Sequence, residues 1–167
     1  MTTIAFKDGI MASDSCISGG GYYGASVNKV QRTSAGALIG WCGEADNRAV
    51  LTLIDKVKKP AQLPTKQEIA ACLTDCQVLI AFGPNSLYIV GCDEDDSGRY
   101  HGYVNVCNLG AAAIGSGSHL ALGAMLAGKS AREAVSIACK IDNNSKLPVN
   151  SMSFTPKTTK PKPPRPK

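Results

Sequence analysis

Apolar and polar positions along the chain alternate with period two at its start, change to helical spacing twice, and vanish at its end. Residues 3–6 and 10–14 are short β-prone runs joined by Lys7-Asp8-Gly9, where Asp-Gly supplies the positive φ of a tight hairpin. After a glycine-rich loop, Gly19-Gly20-Gly21-Tyr22-Tyr23-Gly24, residues 29–33 and 37–41 read as a second strand pair turning at Ser34-Ala35-Gly36. From Glu44 the spacing becomes helical, with Ala45, Val50, Leu53, Ile54 and Val57 on one face up to Lys58-Lys59, and Pro60 closes the segment. A shorter helix starts at Thr65, with Glu68 completing a Thr-x-x-Glu capping box.

Residues 78–82 and 87–91 flank the turn signal Gly83-Pro84-Asn85, the acidic stretch 93–98 reads as an exposed turn, and residues 103–107 and 111–115 predict two more strands. Helices follow over 118–127 and 130–142, the second announced by the capping box Ser130-x-x-Glu133 after Gly128 ends the first. Residues 149–154 form a last strand. The order is four strands, two helices, four strands, two helices and one strand. Two antiparallel sheets face to face, each covered by a helical pair, bury every apolar face of such a chain. The predicted class is therefore α+β, a four-layer αββα sandwich spanning residues 1–155. Residues 156–167 hold five of the chain's nine prolines and no apolar face, which predicts an extended tail.

Composition changes this picture in three ways. The net charge of +5 is confined to the tail: without Lys157, Lys160, Lys162, Arg165 and Lys167 the 18 basic residues fall to 13, matching the 13 acidic ones. A neutral body argues against a nucleic-acid-binding domain, and any affinity for nucleic acid or an acidic partner would sit in the tail. The seven cysteines show no CxxC pair and no histidine at zinc-ligand spacing, so they read as buried, reduced apolar residues of a cytoplasmic protein, with no metal or cofactor expected. No secretory pattern opens the chain and no apolar run approaches the length of a membrane span. His101 and His119 have no partner at catalytic spacing and are assigned to structure.

Candidate chemistry begins at Thr2. A threonine hydroxyl needs an adjacent base to act as a nucleophile, and a free α-amino group, with an ordinary pKa of about 7.7–8.0, supplies one on the same residue once Met1 is removed. A Met-Thr start is commonplace alone. It gains weight from a set of motifs met in order along the chain: Thr2-Thr3-Ile4, Ser13-Asp14-Ser15, Asn28-Lys29-Val30, Cys42-Gly43-Glu44-Ala45-Asp46, Ile114-Gly115-Ser116-Gly117 and Asp142-Asn143-Asn144-Ser145. In these motifs the chain resembles the proteasome β-subunit and HslV family of N-terminal nucleophile hydrolases, over about residues 2–153.

The resemblance implies that Thr2 is the nucleophile, that Lys29 eases loss of its hydroxyl proton, and that Asp14 holds the lysine. An ammonium near the hydroxyl stabilises an alkoxide, and a paired carboxylate offsets the cost of burying that ammonium. It implies further that the Gly43 N–H, or that of Cys42 one residue away, binds the oxyanion, and that Ser116, Asp142 and Ser145 tune the amine. Lys146 departs from the family's glycine after the last serine, the first hairpin is short, and the tail is an addition. With only Met1 ahead of Thr2, the HslV-like branch or a phage relative is favoured.

The expected activity is threonine-type peptidase action on polypeptides in a homo-oligomeric ring fed by a separate AAA+ unfoldase, since the chain has no Walker A motif of its own. The alternatives are an amidase acting on a small amide, and a catalytically silent ring or scaffold whose basic tail binds an acidic partner.

Overall fold

The hairpin signal at Asp8-Gly9 starts the molecule as expected: both residues have positive φ, 51° and 75°, and they join β1 (Thr3–Lys7) to β2 (Ile10–Ser13). A computed structural model describes residues 2–16, 27–43 and 47–154. Met1, the glycine-rich loop, Glu44 to Asp46 and the basic tail lie outside the described residues. The further elements are β3 (Val30–Arg32), β4 (Leu38–Gly43), α1 (Asn47–Ile54), α2 (Lys66–Cys72), β5 (Cys76–Gly83), β6 (Ser86–Glu94), β7 (Tyr100–Val106), β8 (Ala111–Gly115), α3 (Ser118–Leu126), α4 (Ala131–Ile141) and β9 (Asn150–Ser153). Two antiparallel sheets result, in the orders β8-β1-β2-β9 and β3-β4-β5-β6-β7.

Strand alternation assigns each side chain to a layer. In β1, Ile4 and Phe6 enter the core between the sheets with Met11, Leu38, Leu79 and Ile114. Ala5 and Ala12 point the other way, beneath Ala121, Met125, Ala134, Val135 and Ala138 of α3 and α4. In β4 and β5, Ile39, Val78 and Ile80 turn outward against Val50 and Ile54 of α1 and Ile69 of α2. The α+β, four-layer αββα sandwich of the sequence reading is the fold observed.

Several boundaries differ from expectation for local reasons. The apolar spacing that predicted a helix as far as residue 59 yields one that ends at Ile54. Asp55 is drawn away to accept from the Ser34 N–H and hydroxyl at 2.7 and 2.6 Å, while Val57 is buried from a turn. Pro60 opens a short 3₁₀ turn, Pro60–Gln62, instead of closing a helix. Strand β6 runs on into Asp93 and Glu94, because pairing with His101 and Tyr100 satisfies their backbones whatever their side chains prefer. Both capping boxes form, Thr65 with Glu68 and Ser130 with Glu133.

The cysteine expectation needs one correction. All seven thiols are free, but only Cys16, Cys42, Cys76 and Cys92 are buried: Cys107 and Cys139 are half-buried and Cys72 is exposed. Cys72 ends α2, a helix of seven residues whose buried residue is Ile69. His119 lies on α3 and His101 on β7, both exposed.

Candidate active site

The sheet register brings the candidate residues together at one end of β1. Because Ile4 pairs with Ser13 in β2 and Thr3 with Gly115 in β8, Thr2 emerges between Asp14 on one side and Ser116 on the other. Gly115 has a φ of 90°, and a Cβ there would overlap the Thr2 carbonyl and lie 3.6 Å from the Cys42 Cβ. The end of β4, from the opposite sheet, therefore closes on Thr2. Gly40 makes that closeness possible: a Cβ on it would stand 2.8 Å from Ile4 Cγ2, the residue behind the site.

Lys29, just ahead of β3, is buried and reaches across the sandwich. Its Nζ donates to Thr2 Oγ1 at 2.8 Å and to Asp14 Oδ1 at 2.9 Å. Asp14 is wholly buried, so its charge must be met on every side. Besides the Lys29 ammonium, Oδ1 accepts from Thr3 N–H at 2.9 Å, and Oδ2 accepts from Cys16 N–H at 2.8 Å and Lys146 N–H at 3.4 Å. Lys146, an exposed residue, thus meets the site through its backbone N–H. Ser15 fastens the same segment, donating its N–H to Lys146 O at 2.9 Å and its hydroxyl to Pro148 O.

A second carboxylate stands at the end of α4. Asp142 Oδ2 accepts from Ser116 Oγ at 2.7 Å and Ser145 Oγ at 2.6 Å, and Oδ1 accepts from Asn144 N–H at 3.1 Å. Burial pushes this carboxyl up, but the hydrogen bonds from Ser145, Ser116 and Asn144 outweigh it and leave the group below the ordinary aspartate value. Ser116 Oγ also lies 3.5 Å from Thr2 O, which joins this network to the candidate nucleophile.

Of the residues expected at the site, Thr2, Asp14, Lys29, Ser116, Asp142 and Ser145 fall into one connected hydrogen-bond system. Gly43 joins by position alone. It ends β4 with a φ of 103°, and a Cβ there would collide with Asp75 O, so both backbone angle and space demand glycine. That requirement is complete without an oxyanion, and the choice between the Gly43 and Cys42 amides stays open. Cys42 itself is a neutral wall: burial pushes its thiol up to about 11 against the lowering effects of a Gln77 hydrogen bond and the Lys29 charge. Gln77 in turn donates to Tyr103 Oη at 2.9 Å. Among the described residues, no group of three His, Cys, Asp or Glu side chains is placed to hold a metal ion.

Sequence reasoning missed Thr3, which is wholly buried and contacts both carboxylate systems. The signal was present, since a strand starting with two threonines must send their hydroxyls to opposite faces.

No family model matches the chain, and no curated protein matches it in sequence. Among solved structures it is similar to BPH of Thiobacillus denitrificans in complex with epoxomicin, with 26% identity and a TM-score of 0.60 over 93% of this chain and 99% of that one. Without the inhibitor, BPH aligns with a TM-score of 0.59 at 26% identity, over 93% and 98%. Anbu (ancestral beta-subunit) from Yersinia bercovieri shares the fold at 12% identity, with a TM-score of 0.54 over 93% and 84%. The structural neighbours of this chain are thus proteasome-like N-terminal nucleophile hydrolases.

Proposed function

We propose that this protein is a threonine peptidase in which Thr2, freed of Met1, attacks the carbonyl carbon of a peptide bond. The observation that carries the reading is the buried chain Asp14–Lys29–Thr2, with contacts of 2.9 and 2.8 Å. A buried ammonium aimed at a threonine hydroxyl has no packing rationale, whereas it lowers the barrier to forming an alkoxide there. The binding of epoxomicin to the similar BPH adds support.

In this mechanism the Thr2 α-amine takes the hydroxyl proton as Oγ1 bonds to the carbonyl carbon. A backbone N–H at the end of β4, Gly43 or Cys42, stabilises the oxyanion. The protonated amine then gives its proton to the leaving peptide amine as the C–N bond breaks. Water, deprotonated by the same amine, attacks the ester, releases the acid product and restores Thr2. Ser116, whose hydroxyl faces the Thr2 carbonyl, ties the residue to the Asp142 and Ser145 network. Protein-sized substrates imply a sequestered chamber, and we extend the proposal to a homo-oligomeric ring of the HslV-like type served by a separate AAA+ unfoldase.

Replacing Thr2 by Ala should abolish peptide turnover while leaving the melting temperature within a few degrees, because the change removes a hydroxyl at the edge of the core. Turnover persisting in that variant would assign the nucleophile elsewhere.

A further inference from the structure

Resting on the Thr2 reading, we propose that Thr3 is a positioning residue for the reaction, its hydroxyl and its amide coupling the two carboxylate systems. Thr2 immediately precedes Thr3, the first residue of β1, and the two side chains point to opposite faces. Thr2 reaches Lys29 of the facing sheet, whereas Thr3 turns toward α3 and α4 and is wholly buried.

Counting protons fixes the direction of the chain. Ser145 has one hydroxyl proton, and Asp142 Oδ2 claims it at 2.6 Å. The 2.6 Å contact between Thr3 Oγ1 and Ser145 Oγ must therefore be a hydrogen bond donated by Thr3. Protons run Thr3 to Ser145 to Asp142, and Asp142 also holds the Ser116 proton at 2.7 Å. Through its N–H, Thr3 meanwhile grips Asp14 Oδ1, the oxygen that also takes Lys29. One residue thus fixes the nucleophile's neighbour against both the lysine carboxylate and the serine carboxylate. A displaced Thr3 would carry Thr2 with it through the shared peptide bond.

Gly117 is an independent witness. Its φ of −88° suits any residue, so its backbone does not require glycine. Space does: a Cβ there would overlap Thr3 Oγ1 and lie 3.1 Å from Ala138 Cβ and 3.2 Å from Asp142 Oδ2. The missing side chain leaves the volume that the Thr3 hydroxyl and the Asp142 carboxylate occupy.

The test compares Thr3→Val, which keeps the shape and removes the donor, with Thr3→Ser, which keeps the donor. In steady-state peptide hydrolysis Thr3→Val should lower kcat by about 10- to 100-fold with KM little changed, as expected when a reacting group is misplaced without loss of substrate contacts. Thr3→Ser should recover most of that loss, and the rate of covalent addition of epoxomicin at Thr2 should follow kcat. In a Ser145→Ala background Thr3→Val should have little further effect, since the chain is already cut. Wild-type kcat in Thr3→Val, or equal losses in the Ser and Val variants, overturns the proposal while leaving Thr2 as nucleophile. A wild-type protein that neither turns over peptide nor takes up the inhibitor overturns the Thr2 reading and this one with it.

Discussion

At the scale of single residues the site is a problem of charge burial. Asp14 and Lys29 are both in the interior, and breaking such a pair by removing one partner strands the other, at a cost of about 3–5 kcal/mol. Evolution of a mere scaffold would find a well-packed apolar pair at least as stable, so the pair points to chemistry at Thr2. The same environment separates the neighbouring thiol from that chemistry. Burial holds Cys42 largely protonated at neutral pH, and its access is poor, whereas Cys72 is exposed at the end of α2. Iodoacetamide at neutral pH should therefore label Cys72 well ahead of Cys42, and the labelled protein should keep its peptidase activity, as peptide mapping and assay can establish. Loss of activity in step with labelling of Cys72, or labelling of Cys42 ahead of Cys72, would contradict this. Residue by residue, Thr2, Lys29 and Asp14 were singled out by the resemblance of their motifs, taken in order, to those of a known family, since each motif alone is commonplace. For Thr3 the sequence offered the facing of the hydroxyl but not its partner, and Gly117 gave no signal, since the need for its empty space arises only when β1, α3 and α4 meet.

At the scale of elements, local chemistry announced itself wherever a terminus is satisfied locally. The Ser130 hydroxyl accepts from Glu133 N–H at 3.3 Å and the Glu133 carboxylate accepts from Ser130 N–H at 3.0 Å, so the start of α4 was readable four residues at a time. Removing that cap should be felt at the site as well as in the helix, because α4 ends on Asp142. Ser130→Ala should cost about 1 kcal/mol in chemical denaturation, with a smaller loss of turnover, and Ser130→Thr should restore stability. Ends set by distant partners were not readable. Asp55 leaves α1 for Ser34, β6 extends through acidic residues because β7 offers partners, and Lys7 covers the last turn of α3 by donating to Met125 O at 2.8 Å. Sheet order belongs to the same category: β9 pairs with β2, far away in sequence, and only packing decides that.

At the scale of the whole molecule, the sandwich explains why one end of it can be an active site. Two sheets bring β1, β2 and β8 from one layer against β3 and β4 of the other, so the donor chain crosses the inter-sheet core where water is excluded and electrostatic contacts are strong. The four layers could be anticipated from the order of strands and helices, since few arrangements bury all their apolar faces. The Pro- and Lys-rich sequence of the basic tail has no apolar run to bury, so truncation after Thr155 should leave the melting curve and peptide turnover unchanged; a lower molecular mass in solution on truncation, beyond that of the residues removed, would make the tail an assembly element.

The central claim, that a free Thr2 is the nucleophile, is tested most directly by intact-mass measurement of the protein before and after exposure to epoxomicin. The account predicts a starting mass lacking Met1, a single covalent addition of one inhibitor, a fragment map placing it on Thr2, and no addition to Thr2→Ala. A protein that retains Met1 and stays unmodified, or one modified equally in Thr2→Ala, would contradict it.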